Sequence, residues 1–182
     1  MDHLTHEQLK NLGDNFGTPL YVYHAESIKQ QYHKLSHAFC NSDAKMFYAC
    51  KSLTNINVLR YIHGLGASLD CVSINEVKLG LLAGFEKANI LYTPNCVDFQ
   101  EILEAKDLGV NINLDNISIL EQFGNKFGGD YPICIRLNPP IMGGRNFKIS
   151  TVHVDGNFGI SILHVRHMQR TVKNTGPHCE GP

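Results

Sequence analysis

The chain has 182 residues, of which 43% are hydrophobic and 18% charged, enough for one domain with a real core and too apolar for a disordered segment. Sixteen basic residues against seventeen acidic ones leave a net charge of −1, which excludes the electrostatic footprint of a nucleic-acid binder. No apolar run reaches membrane-spanning length, and the opening Met1-Asp2-His3-Leu4-Thr5-His6-Glu7 lacks the basic and apolar regions of a secretory signal, so a cytoplasmic protein with no membrane partner is expected.

In chain order, Phe16-Gly17-Thr18-Pro19-Leu20-Tyr21-Val22-Tyr23-His24 reads as a strand, followed by a long helix over residues 25–39. Apolar strand-like runs then recur at residues 44–50, 67–72, 89–93, 110–114 and 132–137, with starts about 22 residues apart. Helical stripes fill the gaps: Val58, Leu59 and Ile62; Val77, Leu79, Leu81 and Leu82; Phe99, Ile102, Leu103 and Leu108; Ile117, Leu120 and Phe123. Gly66, Gly84 and Gly109 stand as stops after three of these helices. This alternation predicts a parallel sheet with helical crossovers, either rolled toward a β/α barrel or left open. The first strand lies outside the rhythm and is expected to belong to another sheet. A last helix is predicted over residues 161–174. Five strands do not close an eight-stranded barrel, so the chain is expected to be a fragment or amino-terminal half of a longer polypeptide.

Lys51 ends the first of the rhythmic strands, where a buried run gives way to a loop. In parallel α/β folds this edge carries the chemistry, and a partly desolvated lysine there can lose its proton and attack a carbonyl. Taken alone, Lys51 reads more readily as a solvated lysine after a strand. Asp70 closes the next strand and Arg136 lies near the end of the fifth. Charges inside apolar strands are costly unless paired, so each is a candidate site residue; a loop carboxylate capping backbone N–H groups and a structural ion pair are the alternatives. Ser73-Ile74-Asn75-Glu76 has the form of a capping box, with Glu76 near the same edge.

Other signals are weaker. His33 with His37, and His164 with His167, share helical faces, but neither pair has a third ligand at a suggestive spacing, so no metal is expected. Gly64-Leu65-Gly66 precedes a strand and lacks a third glycine, which removes a dinucleotide loop. Gly143-Gly144 reads as a loop after Pro139-Pro140. Asn116-Ile117-Ser118 reads as a helix start. Cys40, Cys50, Cys71, Cys96, Cys134 and Cys179 contain no C-x-x-C pair and are expected to be free thiols.

Several motifs in one order resemble the amino-terminal half of the diaminopimelate decarboxylases, within the fold-type III pyridoxal-phosphate decarboxylases. They are Phe16 to Tyr23, Tyr48-Ala49-Cys50-Lys51, Leu69-Asp70-Cys71-Val72-Ser73-Ile74-Asn75-Glu76, Ile90-Leu91-Tyr92-Thr93-Pro94-Asn95 and Arg136-Leu137-Asn138-Pro139. The resemblance implies a partial (β/α)8 TIM-like barrel of about five to six βα units over residues 25–182. Residues 1–24 would carry a strand of a separate β-domain. It implies pyridoxal 5'-phosphate as cofactor, held by Lys51, with Asp70 catalytic and cofactor-binding and Arg136 cofactor-binding. It further implies a small amino-acid substrate, a homodimer when full length, and decarboxylation of meso-diaminopimelate to L-lysine. A related ornithine, arginine or carboxynorspermidine decarboxylase, and a catalytically dead protein on the same scaffold, are the alternatives. The sequence departs from the family at Gly156 and Asn157, and at Arg145, Phe147 and Val152, which implies an altered loop.

Overall fold

A β-strand shorter than five residues holds its place only if its ladder and one face are both satisfied, and the rhythmic runs meet both conditions. In the computed structural model, which describes residues 4–138 and 159–179, they form β1 (Phe47–Ala49), β2 (Ser68–Cys71), β3 (Ile90–Tyr92), β4 (Asn111–Leu114) and β5 (Cys134–Ile135). All pair in parallel and in chain order, β1-β2-β3-β4-β5. Between them run α3 (Ile56–Gly64), α4 (Ile74–Ala83), α5 (Phe99–Leu108) and α6 (Ile117–Phe127), where the stripes predict helices. Sequential parallel strands with a helix in each crossover are the arrangement of one open wall of a β/α barrel.

Each of these four helices begins on a side-chain cap that the sequence encodes. Asn55, Ser73, Asp98 and Asn116 accept backbone N–H groups at the starts of α3, α4, α5 and α6. Gly84 and Gly109 end α4 and α5 in the left-handed conformation, at φ 107° and 78°. The core lies between sheet and helices. Leu69, Cys71, Ile90, Tyr92, Ile112 and Leu114 are at most 1% exposed and cluster with Leu59, Val77, Ile102, Leu120 and Phe123. Pleating sends the intervening residues to the other face: Asp70, Leu91, Asn111 and Asn113 are half-buried. Helix α4 approaches β2 through Gly80, where a Cβ would run into Leu69 Cδ2.

The fifth run breaks in two. Arg136 N–H still donates to Leu114 O at 2.8 Å, but Arg136 O accepts from Ile160 N–H, also at 2.8 Å. The chain therefore changes partners at this residue, and β6 (Leu137–Asn138) pairs in parallel with β7 (Ile160–Ser161). Gly159, at φ 85°, makes this possible, since a Cβ there would lie 2.9 Å from Arg136 O. The helix expected over residues 161–174 loses its first residue to β7 and becomes a short 3-10 turn at Ile162–His164 followed by α7 (Val165–Thr175). Beyond it, Ile133 N–H donates to His178 O at 2.9 Å and Ile133 bridges Cys179, so another parallel segment begins beside β5.

The chain divides into two compact units, residues 1–44 and 45–182. The first contains α1 (His6–Phe16) and α2 (Ala25–Ala38). Thr5 and Gln8 form a reciprocal capping box at the start of α1, with bonds of 3.2 and 2.8 Å, although the sequence expectation places no helix there. Residues 16–24, expected to pair in a separate sheet, form no strand among the described residues. Val22 and Tyr23 are exposed, Tyr21 at 85%, and no ladder partner among the described residues meets them. An apolar run has β-propensity but becomes a strand only against another edge. The glycine and substitution features expected at residues 143–157 lie outside the described residues.

Candidate active site

At the end of β1 the chain turns through a short 3-10 segment, Cys50–Ser52, and Lys51 is its middle residue. Leu53 N–H closes the turn on Cys50 O at 3.1 Å. Cys50 goes inward to the core at 0% exposure, which turns the adjacent Lys51 out to the C-terminal edge of the sheet, where its side chain is exposed. The desolvation anticipated for this lysine is thus not supplied by the described wall. On the neighbouring strand Asp70 is opposite Ala49, two residues before Lys51. The amine and the carboxylate share one edge of two adjacent strands.

Arg136 shares that edge but stands at β5, three strands from Asp70. The carboxylate within its electrostatic reach is Asp115, one residue past the end of β4. Asp115 is 8% exposed. Burial raises its pKa above the ordinary 3.8, opposed by a 3.1 Å bond from Asn116 Nδ2, the Cys96 backbone N–H and the Arg136 charge. Cys96 reaches it in a left-handed conformation, at φ 56°. Sequence reasoning singles out Asn116, as a cap, and misses Asp115. The signal that could find it is period two: Asn113 and Asp115 continue the face on which Asp70 lies.

That face carries two more groups that sequence reasoning misses. Thr93 Oγ1 and Asn113 Oδ1 are buried and lack a hydrogen-bond partner among the described residues. Unsatisfied buried oxygens are costly, and they mark a surface built for polar contact. Glu76 serves the local structure: its N–H donates to Ser73 Oγ at 3.3 Å, and its Oε2 accepts the Val72 N–H at 2.7 Å. Glu101 acts similarly across elements, accepting from Ile74 N–H at 3.2 Å and from the Tyr92 hydroxyl. His33, His37, His164 and His167 are exposed, and His167 lies 3.5 Å from Glu121.

Behind the edge, Cys50 and Cys71 are buried thiols whose sulfurs lie within 4.8 Å of each other. Burial pushes Cys50 up to about 11 and raises Cys71 further. None of the six cysteines is in a disulfide. Among the described residues no helix is long and apolar enough to cross a membrane.

An exposed amine at a strand end, one strand away from a carboxylate and near unpartnered oxygens, suits a polar ligand bearing an aldehyde. The chain as a whole has relatives among known proteins. The chain is 35% identical over 167 residues to diaminopimelate decarboxylase of Methanothermobacter thermautotrophicus, covering 91% of this chain and 39% of that protein. It is 29% identical over 181 residues to the Haemophilus influenzae enzyme of the same name, covering 94% and 44%. Among solved structures, Helicobacter pylori diaminopimelate decarboxylase complexed with L-lysine superposes with a TM-score of 0.84 at 27% identity, covering 94% of this chain and 44% of that one. The lysine/ornithine decarboxylase from Vibrio vulnificus, complexed with putrescine, gives 0.78 at 25% identity, covering 98% and 45%. The chain thus spans less than half the length of these relatives. The profile described as "Pyridoxal-dependent decarboxylase, pyridoxal binding domain" matches residues 25–177, and the chain belongs to that family.

Proposed function

We propose that this chain forms the lysine-bearing wall of a decarboxylase that converts meso-diaminopimelate to L-lysine and carbon dioxide. The observation that carries the proposal is the placement of Lys51 at the C-terminal edge of β1, beside Asp70 on β2, in a chain whose relatives include diaminopimelate decarboxylases. Lys51 Nζ would hold the aldehyde carbon of pyridoxal phosphate. Asp70 would fix charge next to that amine. Arg136, with Asp115 beside it, would orient a negatively charged group on the far side of the same mouth. Thr93 Oγ1 and Asn113 Oδ1 would take donors between them. When bound, pyridoxal phosphate supplies an electron sink for the pair left behind as carbon dioxide departs. In the whole protein residues 1–24 would join a β-domain and residues 25–182 the barrel. The complete enzyme would be a cytoplasmic homodimer.

A second reading, decarboxylation of lysine or ornithine, draws on the Vibrio vulnificus neighbour. Half a barrel constrains substrate poorly, because the remaining strands would contribute to the same mouth. Borohydride reduction in the presence of pyridoxal phosphate, followed by peptide mapping, tests the lysine assignment. A pyridoxyl adduct on Lys51 is expected, and an adduct confined to other lysines refutes it. Assay of a chain completed with its carboxy-terminal half against diaminopimelate, lysine, ornithine and arginine decides the substrate. The 182 residues alone are expected to bind the cofactor weakly and to release no measurable lysine. A complete protein that binds no cofactor at Lys51 would favour the catalytically dead scaffold.

A further inference from the structure

We propose that Cys50, Cys71 and Glu76 form a binding site for a thiophilic divalent cation such as Zn2+, on the opposite side of the sheet edge from Lys51 and Asp70. This departs from the absence of metal expected from the sequence. It is independent of the decarboxylase reading, because none of the three residues is among those assigned to the cofactor.

Three donors of the right chemistry converge here from three elements: the turn after β1, the end of β2 and the first turn of α4. Their ligand atoms all lie within 4.8 Å of one another. Donors around a tetrahedral zinc, with Zn–S bonds of about 2.3 Å, are separated by about 3.7 Å, so side-chain rotation of the order of 1 Å completes the set. Two thiolates and a carboxylate are ligands that zinc takes, and three protein ligands leave a fourth position for water. The carboxylate is held in place beforehand: Glu76 Oε2 accepts the Val72 N–H at 2.7 Å, the kind of outer bond that orients a metal ligand.

Burial shapes the selectivity. Cys50 and Cys71 are 0% exposed, while Glu76 is half-buried. Two buried sulfurs favour soft, weakly hydrated cations over Mg2+ or Ca2+, which keep oxygen ligands and water. Loading is balanced as the exchange of two thiol protons for one cation: both S–H bonds break, two metal–sulfur bonds form, and the protons leave to solvent. The bound ion would tie β1, β2 and α4 together behind the edge that presents Lys51 and Asp70.

The probe is Cd2+ added to the reduced, metal-free 182-residue chain, followed by ultraviolet thiolate-to-cadmium absorption and then by competition with Zn2+. One equivalent is expected to give a two-thiolate band that Zn2+ abolishes. Cys50→Val and Cys71→Val should each reduce the band, and the double variant should lose it. Glu76→Gln should keep the band but weaken binding about tenfold, at the low end of what altered metal-site groups cost. An unchanged band in the double variant, which would place the ion on Cys40, Cys96, Cys134 or Cys179, overturns the proposal. Failure of the unaltered chain to show any band does so as well. Should the variants not fold, zinc-edge X-ray absorption of the unaltered chain answers the question. Two sulfurs at about 2.3 Å with oxygen or nitrogen at about 2.0 Å support the site, and a shell with four sulfurs or none refutes it.

Discussion

The two compact units of this chain are built on different physics. In residues 45–138, every strand from β2 to β4 sends two side chains into a common core, and helices α3 to α6 each bury residues against it. In residues 4–44 no residue is buried, although α1 and α2 span 11 and 14 positions. Phe16 is 72% exposed and Leu35 50%. The first region is held by packing, with caps setting where helices begin. The second is held by caps and hydrogen bonds, which are worth far less. A family resemblance can therefore run through both regions while only one of them is a stable platform.

Truncation of a core side chain should separate the two regions most. Phe123→Ala is expected to cost about 3–5 kcal/mol in urea unfolding, whereas Leu35→Ala in α2 should stay within about 0.5 kcal/mol. Equal losses would erase the distinction. Overpacking should act next. A Cβ at Gly124 would lie 2.6 Å from Thr175 Cβ and 3.2 Å from Pro177 Cδ, so Gly124→Val should destabilise the α6–α7 contact by about 1–3 kcal/mol. A Val variant with an unchanged midpoint would show that α7 is only loosely seated. In the first unit, Thr5→Ala removes the α1 capping box and should cost about 1 kcal/mol locally. Amide exchange in α1 should accelerate while protection in β2 to β4 stays constant.

The smallest effect concerns Asp115. Its folded pKa is raised above 3.8, so the native state resists losing that proton more than the unfolded chain does. The associated stability is complete below the unfolded value and declines as pH rises through the raised one. Asp115→Asn should flatten that segment of a stability-against-pH curve. A slope identical to that of the unaltered chain would mean that the charge is fully compensated by its bonds and by Arg136.

Element type and order in the wall follow from period alone, because apolar runs of about four to seven residues separated by helical stripes admit few arrangements. Lys51 and Asp70 are identifiable because charge at the end of an apolar run is conspicuous. What escapes is whatever depends on a partner. Residues 20–23 carry strand-forming side chains but meet no edge among the described residues. The break at Arg136 depends on Ile160, far along the chain. Asp115 is hidden by its neighbour Asn116, whose capping role accounts for the local polarity. The capping box at Thr5 and Gln8 is visible in sequence, but its short, polar helix carries no buried stripe to announce it. The pairing of Cys50 with Cys71 follows from the β1–β2 register, which no spacing rule supplies.

Strand order equal to chain order has a consequence for synthesis. As the polypeptide leaves the ribosome amino terminus first, each βα unit finds its template already laid down, since β2 docks on β1, β3 on β2 and so on. No strand must wait for a later one to be inserted between it and its predecessor. Growth is vectorial, the loops that must close stay short, and each new strand adds to the most recently made edge while the outer edge of β1 stays open.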